Sequence, residues 1–142
     1  MLKEITLDKF GTLKFFRKGK DHYWFGRVRN IFPDHEVELT IHVKDHEPPS
    51  TMQVNLIADF AQSHDKLMLM LYEYLHESFA LAGDNRSVND LRKMYFLSSV
   101  ELKADNKEWW IVLEPGLNVD SKHNFLPRFT VREGRVTWSN LR

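Results

Sequence analysis

TMQVNLIADFAQSHDKLMLMLYEYLHESFALAG, residues 51–83, is the one long stretch with helical periodicity. Leu56, Ile57, Phe60 and Ala61, then Leu67, Met70, Leu71, Tyr74, Leu75 and Phe79, recur at three- and four-residue steps. Lys66, Glu73 and Glu77 mark the opposite, wet face. Pro48 and Pro49 cannot continue a strand ladder, so the helical block starts after them, with Ser50 or Thr51 as its cap. Gly83 stands where a C-terminal capping glycine belongs. His64 falls on the apolar phase and Ser63 can cap a second helix, so a break is expected at Ser63–Asp65.

Both flanks of this block read as strands. On the N-terminal side Ile5 and Leu7, then Leu13 to Arg17, alternate with polar neighbours, and Gly19-Lys20-Asp21 signals a turn. Val37, Leu39, Ile41 and Val43 alternate strictly with Glu36, Glu38, Thr40 and His42. If residues 30–35 form a hairpin loop, Arg29 faces Glu36, Arg27 faces Glu38, Phe25 faces Thr40 and Tyr23 faces His42. Trp24, Gly26 and Val28 then meet Ile41, Leu39 and Val37 on an apolar face. A one-residue slip would drive arginines into the core, so the register is well specified.

On the C-terminal side Ser87 and Asp90 resemble a capping pair for a short helix from Val88. Leu97 to Lys103 and Trp109 to Glu114 flank a hairpin loop, pairing Val100 with Ile111 and Leu102 with Trp109. Residues 129–132 and 135–138 close a last hairpin around Glu133-Gly134, with Val131 on Val136 and Phe129 on Trp138. Four strands, a helical block and four more strands predict a single α+β domain over residues 1–142. Its sheet is mostly antiparallel, and the central block, about 51–83, packs on one face. Leu67, Leu71, Tyr74 and Leu75 are expected against Val37, Leu39, Ile41, Val100 and Ile111.

Composition narrows the function classes. The chain has 142 residues, 42% hydrophobic and 13% aromatic, enough to fill a substantial core. Twenty basic and 20 acidic side chains cancel, so no global field draws the chain to nucleic acid or to an anionic membrane. There are no cysteines, which removes disulfides, thiolate metal sites and a cysteine nucleophile. Met1 to Phe10 is broken by Lys3, Glu4, Asp8 and Lys9, unlike a signal peptide, and the longest apolar run is Leu67 to Tyr72. A soluble, cytoplasmic protein is expected.

No motif carries recognisable chemistry. Asp21-His22, Asp34-His35 and Asp45-His46 repeat one dipeptide, and His42 precedes His46 by four, which are ligand types for zinc. The first two lie at opposite ends of one predicted strand, about 20 Å or more apart. Polar turn residues explain them, and neither a metal nor a cofactor is expected. No serine sits in a nucleophile elbow, Ser121 and His123 share a polar loop, and the glycines are too dispersed to cradle a phosphate. Lys14, Arg17, Lys18, Lys20, Arg27 and Arg29 make an early basic cluster interleaved with Tyr23, Trp24 and Phe25. The acidic run after it neutralises part of it, and no nucleic-acid partner is expected. The chain reads as non-enzymatic.

The aromatics say more. Adjacent Trp109 and Trp110 must point to opposite faces of the sheet, so one packs in the core and the other needs a cover from the chain, a ligand or a partner. The face carrying Tyr23, Phe25, Arg27 and Arg29 mixes aromatics with arginines, a composition enriched at protein interfaces. Those four and Trp110 are the candidate partner-binding residues, for a protein partner or a homodimer. An ordinary solvated face with register-setting ion pairs is the competing reading. A small ligand or substrate in a pocket between helix and sheet is the alternative function.

The strand Trp24-Phe25-Gly26, the alternating acidic strand, a helix with Asn55 and Phe60 near its start, and a Trp-rich strand running into Glu114-Pro115-Gly116-Leu117 together resemble small bacterial domains. Some of these are encoded beside polymorphic toxins as immunity-type proteins. The resemblance spans roughly residues 10–120 and departs from that pattern at Pro115, where a histidine is common. It implies a binding protein without catalysis.

Overall fold

The computed structural model describes residues 2–33 and 35–141. Its first four strands are β1 (Glu4–Leu7), β2 (Gly11–Lys18), β3 (Asp21–Phe32) and β4 (His35–Val43). Helices α1 (Thr51–Gln62), α2 (His64–Leu81) and α3 (Val88–Met94) follow. The chain returns through β5 (Tyr95–Leu102), β6 (Glu108–Pro115), β7 (Arg128–Arg132) and β8 (Arg135–Ser139). All eight strands form one sheet in sequence order, antiparallel except where β4 meets β5. The helices are the crossover that this one parallel pair requires. The fold is α+β, as the pattern of elements predicts.

Local chemistry sets the helix ends. Ser50 and Gln53 form a capping box on α1, and the buried Gln53 amide also donates to the His42 carbonyl and the Asn106 side chain. That polar knot ties the start of α1 to β4 and to the β5–β6 turn. Ser63 does mark the break between α1 and α2, but its hydroxyl donates back to the Asp59 carbonyl instead of capping α2. Gly83 has φ +86°. Asp84 N–H donates to Phe79 O and Gly83 N–H to Ala80 O, the two bonds of a Schellman ending. Ser87 and Asp90 cap α3 reciprocally.

One face of the sheet packs under the helices. Leu71 and Leu75 are fully buried with Leu39, Ile41, Val37, Val100 and Ile111 in one cluster. Leu67 and Tyr74 sit at the flank of that contact, and Met68, Tyr72 and Phe79 complete the buried stripe. Trp109 belongs to this face, its ring 4.8 Å from Phe60.

Two hairpins depart from the expected register. The pairs from Tyr23↔His42 to Val28↔Val37 form as predicted, but residues 30–32 are not loop. Asn30 takes φ +68° and its amide donates to Lys9 O, while Arg29 N–H donates to Phe10 O. The strand bulges there, buries Ile31, and resumes with Phe32 opposite His35. Arg29 is therefore not opposite Glu36, and Glu36 reaches Arg27 instead, at 3.9 Å. In the last hairpin Val131 does meet Val136, but a shift at Thr137 sets Trp138 opposite Thr130 and Ser139 opposite Phe129. That bulge changes parity, so Trp138 leaves the core face that strict alternation gives it.

Candidate binding face

The face of the sheet away from the helices carries the candidate site. Strand register lays one lateral row across all eight strands: Glu4, Lys14, Phe25, Thr40, Glu101, Trp110, Thr130 and Trp138. A second row runs Arg27, Glu38, Ser99, Val112, Arg128. Phe16, Tyr23 and His42 are neighbours in a third. Aromatic side chains on β3, β6 and β8 stand above the short Thr40 on β4, Ser99 on β5 and Thr130 on β7.

Relief follows from that alternation, because a sheet face is low wherever its side chains are short. One hollow of about 380 Å³ lies over β4 and β5, lined by Tyr23, Phe25, Thr40, His42 and Glu101. A second, of about 560 Å³, is lined by Trp110, Trp138, Leu126, Val112, Thr130 and Arg128. Glu38 and Ser99 border both, so the two form one trough. Phe16, Trp110 and Trp138 are 42%, 46% and 55% exposed on this face.

Polar contacts fix the ridge within the trough. Lys103 Nζ lies 3.9 Å from the Trp110 ring centroid, 3.0 Å from Glu101 Oε2 and 3.4 Å from His42 Nε2. The indole N–H of Trp110 donates to Glu108 at 2.9 Å. Burial pushes the Glu101 carboxyl up, but hydrogen bonds from His42 and Lys103 and the Lys103 charge outweigh it and hold the group below the usual carboxylate range. Phe16 stacks on Tyr23 at 5.8 Å and meets Phe25 edge-on at 6.1 Å. The aromatics are thus held in place before anything binds, which lowers the ordering cost of an interface.

The chain matches no family model, no curated protein and no solved structure.

The sequence-derived candidates divide clearly. Tyr23, Phe25, Arg27 and Trp110 share the open face, with Arg27 3.5 Å from Glu38. Arg29 stands at its margin, beyond the last regular pair before the bulge. Trp138, Leu126, Phe16 and Arg128 also belong to the face and were not among those candidates. Trp138 was hidden by the bulge at Thr137, Leu126 by the irregular segment before β7, and Arg128 because the expected strand starts one residue later, at Phe129. Phe16 was legible, since Arg17 and Phe15 flank it in a strand.

The histidines disperse. His42 faces the open side, whereas His46 stacks on Phe15 at 3.8 Å and His22 on the same ring at 6.0 Å. His22 precedes Tyr23 in β3 and so points to the other face from His42. His35 bonds the Leu97 carbonyl, and its neighbour Asp34 lies outside the described residues. Among the described residues no group of three or more His, Asp or Glu converges as metal ligands. No helix among them is long and apolar enough to cross a membrane.

A second polar cluster sits at the end of α2. His123 is 7% exposed, with Nδ1 2.7 Å from Asp120 Oδ1 and Nε2 2.9 Å from Asp84 Oδ2. Burial works to raise the Asp84 carboxyl, but hydrogen bonds from Arg86 and His123 prevail and hold it low. The His123 hydrogen bond holds Asp120 low as well. Each ring nitrogen of His123 is thus engaged by a carboxylate oxygen. Ser78, whose hydroxyl has no hydrogen-bond partner, lines the same hollow of about 280 Å³. With each ring nitrogen within hydrogen-bond distance of a carboxylate, the trio forms a clasp. Helped by Tyr95, which donates to the His123 carbonyl at 2.7 Å, it fastens the segment before β7 to α2 and so supports Leu126 and Arg128.

Proposed function

We propose that this domain is a non-enzymatic binding protein that engages a protein partner on the open face of its sheet, as a cytoplasmic bacterial protein of immunity type would. The observation that carries the reading is the shared row of register: half-buried Phe25 and exposed Trp110 and Trp138 stand on one face, beside a trough between them. Exposed aromatics in such number are costly to solubility unless a partner covers them, and Trp, Tyr and Arg dominate interface energetics. The region between helices and sheet, the place for a small ligand in the alternative reading, is filled by fully buried Trp24, Leu39, Ile41 and Leu71.

The test pairs binding with growth. If a toxin gene adjoins this one, its product should form a complex with the chain and be neutralised by it. Tyr23→Ala combined with Arg27→Ala, checked for retained fold, should weaken that complex by about 2 kcal/mol or more, as loss of hot-spot residues does. An unchanged affinity in the double variant would show that the partner docks elsewhere.

A further inference from the structure

The larger hollow is specific enough to say what enters it. Trp110 on β6 and Trp138 on β8 are both paired with Thr130 on β7, so they rise two strands apart, roughly 10 Å between backbones. Thr130 is short, which leaves a slot between two indoles with apolar Val112 and Leu126 around it. Lys103 already caps one ring face of Trp110, which fixes that indole as a wall of the slot. A planar ring gains most from such walls, through stacked or edge-to-face contact.

Charge marks one end of the slot. Arg128 lines the hollow two residues along β7 from Thr130, about 7 Å away. Arg27, Arg86 and Arg132 each have a carboxylate within 4.0 Å, whereas Arg128, like Arg17, Arg29, Arg92 and Arg135, has none among the described residues. The Asn140 side chain accepts from its backbone N–H at 2.8 Å and so holds the backbone at this position, while the Arg128 side chain is exposed beside the hollow. A guanidinium at the edge of the hollow is complementary to a carboxylate, bidentate in the best geometry. In an extended peptide, residues i and i+2 lie on one side and about 7 Å apart, the same spacing as Thr130 and Arg128.

From this juxtaposition of paired tryptophans and an unpaired arginine, we infer that the slot receives an extended segment of the protein partner carrying an aromatic residue, with Asp or Glu two positions away. The ring inserts between Trp110 and Trp138 over Thr130, and the carboxylate meets Arg128. This inference rests on the proposed use of the open face and names the chemistry of its occupant.

The experiment is selection of a phage-displayed library of random linear peptides on the folded chain. Counter-screening uses Thr130→Trp, which fills the slot, and Trp138→Ala, which removes one exposed wall. The expected result is enrichment of aromatic-x-acid peptides. Synthetic copies should lose about tenfold in affinity to Arg128→Met and nearly all binding to either slot variant. Binders that depend on the slot but lack the motif, or are indifferent to Arg128→Met, overturn the inference while leaving the open face as the binding surface. A selection that yields no slot-dependent binder overturns both. If Thr130→Trp does not fold, the Trp138→Ala arm decides alone.

Discussion

Replacing Gly26 by Ala tests how closely β2 lies on β3, and with it the placement of the aromatic rim. A Cβ at position 26 would stand 2.3 Å from the Thr12 carbonyl oxygen and 3.0 Å from Leu13 Cδ2. Relief needs about 1 Å of movement, and the nearer neighbour is backbone, which a rotamer change cannot displace. Moving Thr12 strains the ladder at Lys14↔Phe25 and Phe16↔Tyr23, the pairs that hold the aromatic edge of the open face. Overpacking of this kind costs about 1–3 kcal/mol, and a backbone clash belongs at the upper end. At roughly 2–4 °C per kcal/mol for a chain of this size, Gly26→Ala should melt about 5–10 °C lower. Urea unfolding followed by tryptophan fluorescence gives the free energy, with the m-value checking two-state behaviour. A loss below about 0.5 kcal/mol with an unchanged m-value would refute the close approach of β2.

Other perturbations probe the core and the charged turn. Leu71→Ala, at a fully buried site between α2 and the sheet, should cost about 2–5 kcal/mol in urea unfolding; a loss under about 1 kcal/mol would place Leu71 outside the core. Asp105 accepts hydrogen bonds from the Lys107 N–H, the Arg132 side chain and the Glu108 N–H, which hold its carboxyl down at about 2. Because the folded value is depressed, its stabilisation is complete above the ordinary aspartate range and is lost as pH falls towards about 2. Asp105→Asn should therefore lose less stability than the parent between about pH 4 and pH 2; parallel curves would contradict this. Burial pushes the Tyr72 and Tyr95 phenols up to about 12, so their contribution is complete below about pH 10 and is lost as pH rises through 12. Ultraviolet titration should show these two of the four tyrosines ionising last; four phenols titrating together near pH 10 would contradict their burial.

Much of this fold is legible in the chain because its strands are strictly alternating. Val37, Leu39, Ile41 and Val43 can bury only one face, and with Gly26 and Trp24 opposite them the β3–β4 register admits no slip. The same parity argument separates Trp109 from Trp110 and so locates an exposed tryptophan before any coordinates exist. What alternation cannot reveal is where it is interrupted. The bulge around Asn30, which is in a left-handed conformation, adds two residues to β3, the shift at Thr137 adds one to β8, and each reassigns the side chains beyond it. Arg29 thereby loses its expected partner, and Trp138 moves from the core to the open face. The His123 clasp was unreadable for another reason: Asp84 and His123 are 39 residues apart and meet only because the Schellman turn at Gly83 aims Asp84 at the later segment.

The open face as the site of partner binding is tested most directly by site-specific photo-crosslinking inside the host cell. A photo-reactive amino acid placed at Thr130, in the floor of the trough, is compared with the same probe at Glu73, on the exposed side of α2. A discrete adduct formed from position 130, absent from position 73 and lost when Trp110→Ala is added, is the predicted result. Equal adducts from both positions, or an adduct from position 73 alone, would contradict the assignment of the open sheet face.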